Sequence, residues 1–185
     1  MRSIPGMVVL SPAEDVEARA CVKASYAHKG PVYMRFGRIE TPVFHDENYH
    51  LELGKCEQLT EETDIAIIST GIMTYEALCA AKDLEKSGIH ARVINVCSIK
   101  PLDEAMIHKA AIECGRILTV EEHNVIGGLG EAVAAVVCEH YPVPVQKLGI
   151  QDVFGISGAA WELLEIYHLT AADIVKHAKG IVLQK

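Results

Sequence analysis

From Asp64 onward the sequence repeats one alternation: a short apolar run, a turn, a helical stretch closed by a polar or glycine stop, and another apolar run. Ile65 to Ser69 is the first such run. Thr70-Gly71 and a helix from about Thr74 to Ser87 follow, with Gly88 placed to end it. Ala91 to Val96 is the next strand, and Pro101-Leu102-Asp103 opens a helix that stops at Gly115. Ile117 to Val120, the helix Leu129 to His140 and the strand Val143 to Leu148 continue the pattern. Two helices close the chain, Ala159 to His168 and Ala171 to Lys179, the second capped by Thr170. A parallel strand can be reached only by a crossover, so strands separated by helices build a mainly parallel sheet covered on both faces. The expectation is an α/β, three-layer, Rossmann-like domain over residues 63–185.

The front of the chain is different. Met7 to Leu10 reads as a short buried strand, and Ser11-Pro12-Ala13-Glu14 as a helix start with Ser11 at N-cap, Pro12 at N1 and Glu14 at N3. Val16, Ala20, Ala24 and Ala27 give that helix a narrow small-residue face, Gly30-Pro31 stops it, and Val32 to Phe36 is the next strand. One β-α-β unit cannot enclose a core, so residues 1–40 read as the end of a further domain. Residues 41–62 are polar, hold no period and are interrupted by Pro42, the pattern of an interdomain linker.

Charge and composition exclude several functions. Net charge is −8, and no Lys/Arg stripe exists to displace counterions from a nucleic acid. No apolar run approaches the ~18 residues of a membrane span, and no secretory leader pattern opens the chain, so the expected location is the cytoplasm. Six cysteines lie scattered without a C-x-x-C pair, which implies reduced thiols and no structural zinc. Nine histidines include no H-E-x-x-H, and Cys138-Glu139-His140 offers too few ligands for a closed metal site. Gly155-Ile156-Ser157-Gly158 is only loosely like a nucleophile elbow.

Three features carry possible chemistry. Gly127-Gly128-Leu129-Gly130 lies between a strand and a helix, where a phosphate loop would lie. Its glycine spacing misses the dinucleotide pattern, and Glu121, Glu122 and Glu131 crowd it with negative charge. A tight turn allowing close packing is the better reading. Glu122 and His123 follow a strand's carboxyl end, a place for a site loop or an interface. Arg35 and Arg38, on or after the last strand of the front unit, suit a bidentate phosphate contact.

Several of these stretches resemble one family in order and spacing. Ile4-Pro5-Gly6-Met7-Val8-Val9 with Ser11-Pro12-Ala13-Glu14 looks like the closing β-α unit of a transketolase pyrimidine-binding domain, and Gly30-Pro31-Val32-Tyr33-Met34-Arg35-Phe36-Gly37-Arg38 like its final strand. Ser69-Thr70-Gly71, Val93 to Pro101, Glu121-Glu122-His123 with the glycine turn, and Phe154-Gly155-Ile156-Ser157-Gly158 resemble the transketolase C-terminal domain. The split type, divided between two polypeptides, is the most similar. The resemblance implies a pyrimidine-domain remnant over 1–40 and a C-terminal domain over 63–185, within an enzyme that moves a two-carbon ketol unit between sugar phosphates. It implies thiamine diphosphate and a divalent cation such as Mg in the whole enzyme, with none bound by this chain alone. The family's Gly-Asp-Gly motif is absent here, and its activating glutamate belongs upstream of residue 1. The implied partners are an N-terminal transketolase section, a second copy in a homodimer, and sugar phosphates. The implied substrate-phosphate contact is Arg38, then Arg35; Gly37 stands where conventional transketolases often have Ser. Alternatives are a C-terminal section of 1-deoxyxylulose-5-phosphate synthase or of a 2-oxoacid dehydrogenase β-subunit. A non-catalytic assembly or regulatory module, associating through the exposed edge of the front unit, remains a further alternative.

Overall fold

A computed structural model describes residues 1–183. The front unit contains β1 (Val8–Leu10), α1 (Asp15–Ala27) and β2 (Val32–Met34), with β1 and β2 parallel in the register Val8↔Val32 to Leu10↔Met34. A two-residue strand β3 (Glu57–Gln58) follows inside the segment read as a linker. Then come β4 (Ile65–Ser69), α2 (Met73–Glu85), β5 (Ala91–Asn95), β6 (Ser98–Lys100), α3 (Glu104–Cys114), β7 (Ile117–Asn124), α4 (Leu129–His140), β8 (Val145–Ile150), α5 (Ala160–Ile166) and α6 (Ala171–Leu183).

The main sheet has the order β3-β5-β4-β7-β8. Its four longer strands are parallel, and only the edge strand β3 is antiparallel. The period of two in β4 separates the layers: Ile65 and Ile67 pack with Met73, Leu84, Ile174 and Ile181 of α2 and α6, while Ala66 and Ile68 pack with Ile107, Leu129 and Val133 of α3 and α4. This is the three-layer α/β fold expected. Among the described residues no helix is long and apolar enough to cross a membrane.

The second sheet was not visible in the sequence pattern. After β5 the chain leaves the main sheet through Val96-Cys97, and β6 pairs antiparallel with β1, giving the order β2-β1-β6. The front unit is thereby welded to the carboxyl ends of the main strands. Ser11 N–H donates to Cys97 O at 2.9 Å, and Gly71 N–H donates to Ser11 O at 3.1 Å.

Those seam bonds correct the expected start of α1. Ser11 is buried in the seam, and the cap is Glu14, whose carboxylate accepts from Val16 N at 2.8 Å and Glu17 N at 3.0 Å. The helix therefore begins at Asp15. The cap of α3 matches its expectation, with Asp103 accepting from Met106 N at 3.1 Å and Gly115 in the left-handed conformation at φ 67°.

Candidate functional site at the seam

In an open α/β sheet the crevice beyond the strands' carboxyl ends, where strand order reverses, is the usual ligand position. Here β4 is that reversal point, with β5 on one side and β7 on the other. The front unit and the Glu121-Glu122-His123 stretch meet around this end of the sheet. β7 runs to Asn124, so these three residues are an irregular continuation of the strand rather than a loop beyond it.

Glu121, counted in the sequence only among the charges crowding the glycine turn, has a structural role there. It is 1% exposed, and its two oxygens accept from Leu129 N at 2.8 Å and Gly130 N at 2.9 Å. The N-terminus of α4 thus holds an anion supplied by the chain itself. Burial pushes the Glu121 carboxyl above its ordinary range; the two N–H donors and the charges of His123 and Arg35 oppose that rise. Gly128 is required for close approach, since a Cβ there would collide with the Glu121 carboxylate. The glycine turn is therefore filled, and it does not fit a cofactor diphosphate. Among the described residues no three His, Cys, Asp or Glu side chains could hold a metal ion.

Arg35 lies half-buried beside this group. Its backbone N–H donates to Leu10 O at 2.9 Å, its guanidinium reaches Ser11 Oγ at 3.4 Å, and it lines a small cavity with His123, Glu121 and Gly128. Glu122 keeps an exposed surface, but partial desolvation by its neighbours raises its carboxyl, against the opposing charges of Arg35 and His123. Arg38 is exposed and lies elsewhere, on the rim of a cleft of about 440 Å³ whose apolar wall includes Ile150, Leu163, Leu164 and Tyr167, with Glu122 lining it too. Arg35, Glu122 and His123 are thus neighbours, and Arg38 joins them through the Glu122 side of the seam.

A second polar group, missed in the sequence, packs behind α1. His45 Nδ1 lies 2.6 Å from Glu14 Oε1 and its Nε2 lies 2.6 Å from Glu57 Oε2, with the imidazole side chain 2% exposed. Glu17, fully buried, accepts from Ala13 N at 2.6 Å, Asn95 Nδ2 at 2.7 Å and Tyr49 Oη at 3.3 Å. Only the spatial meeting of three segments creates this network; no local spacing marks it.

The family model for the transketolase C-terminal domain matches residues 54–174. The 6-deoxy-6-sulfo-D-fructose transketolase subunit of Clostridium sp. (strain MSTE9) is 42% identical over 185 residues, covering 100% of this chain and 58% of its own length. An apulose-4-phosphate transketolase polypeptide of Phocaeicola vulgatus is 40% identical over 183 residues, covering 98% of this chain and 58% of its own. A solved structure described as a split-gene transketolase, inactive β4 tetramer, superposes with a TM-score of 0.93 at 43% identity, over 98% of this chain and 59% of that one. The chain spans less than three fifths of the length of each.

Proposed function

We propose, from the premise that this chain belongs to the transketolase family through its C-terminal domain, that it is the C-terminal section of a split enzyme transferring a two-carbon ketol unit between sugar phosphates. One observation carries the reading: similarity to a split-gene transketolase runs through the front unit as well as the domain behind it, over 98% of the chain. In this reading residues 1–40 end a pyrimidine-binding domain, 41–62 connect, and 63–185 form the C-terminal domain.

The chain's part is support, assembly and one cationic contact. The relatives' named substrates, a sulfonated fructose and a phosphorylated apulose, both carry a terminal anion. Arg38 and Arg35 are the guanidinium groups in the segment that resembles the family's substrate-facing strand. A planar fork matches phosphate or sulfonate oxygens in two parallel hydrogen bonds. Glu122 and His123 shape the seam beside Arg35. The exposed Val22 and Tyr26 of α1, 52% and 95% accessible, and the edge strand β2 give a surface for the N-terminal section or a second copy.

The family's cofactor is thiamine diphosphate, held with a divalent cation, and it supplies the carbanion chemistry of ketol transfer. The residues of this chain do not fit it, because the glycine turn holds Glu121 and no Gly-Asp-Gly motif occurs. Binding the cofactor falls to sections outside this sequence. Titration calorimetry of the chain with thiamine diphosphate and Mg²⁺ gives no binding isotherm on this account; tight binding by the chain alone would overturn it.

A further inference from the structure

We propose that His45 is a doubly protonated latch that clamps the 41–58 strap between the front unit and the edge of the main sheet, and that losing its proton releases the strap. The argument starts from hydrogen-bond capacity. Each ring nitrogen faces a carboxylate oxygen at 2.6 Å, Glu14 on one side and Glu57 on the other. With both carboxyls ionised, each can only accept, so both nitrogens carry hydrogen and the ring is an imidazolium. A neutral imidazole keeps one N–H, which turns one of the two contacts into lone pair against lone pair.

The two arms hold different elements. Glu14 is the cap of α1, and its side chain is fully buried. Glu57 lies in β3, a strand of two residues at the sheet edge, and its side chain is 38% exposed. Proton loss therefore frees the Glu57 arm first, because water can take over that carboxylate but not Glu14. The other tethers of the strap are Thr41 Oγ1 to Ala13 O at 2.8 Å, Tyr49 Oη to Glu17 at 3.3 Å, Gly54 N to Ser98 Oγ at 3.1 Å, Cys56 N to Asp103 Oδ2 at 3.2 Å, the short β3–β5 pairing, and the packing of Leu51 and Leu53 on the front unit.

The charged and titratable groups facing the ring are Glu14, Glu57, the buried Glu17 of α1 and the Tyr49 phenol, its ring tilted by 37° at a centroid distance of 4.1 Å. Burial disfavours the cation, yet the bonds to Glu57 and Glu14 and the charge of Glu17 outweigh it and raise His45 from 6.5 to about 9. The sign follows from that direction. The clamp's contribution is full below the unfolded value of 6.5 and is lost as pH rises through about 9.

The test uses the chain as it stands. Imidazole ¹⁵N spectra and amide exchange, corrected for its intrinsic pH dependence, are followed from pH 5.5 to 10. His45 is expected to stay doubly protonated until near pH 9, with protection of amides 41–58 falling at least tenfold over the same interval while β4 and β7 remain protected. Glu57→Gln is expected to lower the His45 midpoint, and His45→Phe to leave the strap unprotected already at pH 7. Should His45→Phe fail to fold, Glu57→Gln, altered at a partly exposed side chain, carries the test. Titration of His45 near 6.5, or strap protection that stays flat across its titration, would overturn the proposal.

Discussion

A carboxylate eight residues before a helix performs here what a local cap performs elsewhere. Glu121 satisfies two N–H groups at the start of α4, and charge-assisted bonds of this kind are each worth more than neutral ones. Glu121→Ala is expected to cost about 2–3 kcal/mol of unfolding free energy, read by urea titration, by leaving Leu129 N and Gly130 N buried without acceptors. Gly128→Ala fails for a related reason, since its Cβ needs the space of that carboxylate. Sequence reading identified the glycine turn as tight and hostile to phosphate, with Glu121 among the charges crowding it, yet it gave Glu121 no capping role. The partners meet only after β7 and α4 have packed, and no local spacing encodes that. At the same scale, Arg38→Ala in the assembled enzyme is expected to raise the KM for a phosphorylated ketose about tenfold, the loss of one charge-assisted pair. Arg35→Ala gives the comparison. An unchanged KM in both variants would remove these residues from the phosphate contact.

Elements were legible where their signals are local. The apolar runs of β4 and β5 and the helix between them follow from period and glycine stops, and the caps Asp103 and Thr170 lie within four residues of the groups they satisfy. Asp103→Ala is expected to lower stability by about 1–2 kcal/mol, measured by thermal unfolding. Its second oxygen also accepts from Cys56 N at 3.2 Å, so exchange at Cys56 should rise in parallel. A stability change without that local effect would separate the cap from the tether. β3 and β6 were not legible. Neither Glu57-Gln58 nor Ser98-Ile99-Lys100 is the apolar run that marks β1, and each is defined by a distant partner: Glu57↔Asn95 for one and Val9↔Lys100 for the other. The start of α1 was misplaced for the same reason, because Ser11 gives its backbone to Cys97 and Gly71 rather than to its own helix.

For the whole molecule, the three-layer fold follows from the alternation of elements, while the way the front unit seats on it depends on pairings no window of sequence contains. That seating matters for function. The weld through β6 puts Arg35 against Glu121, Glu122 and His123, so the front unit and the C-terminal domain share one seam. In the proposed assembly this chain contributes structure and a cationic contact, and the cofactor chemistry comes from sections it does not contain. The most direct measurement combines this chain with a pyrimidine-domain section and an N-terminal partner of the proposed assembly, in thiamine diphosphate and Mg²⁺, and compares two substrate pairs. Turnover with xylulose 5-phosphate plus ribose 5-phosphate, and none by the chain alone, is the result expected; turnover only with pyruvate plus glyceraldehyde 3-phosphate would contradict it.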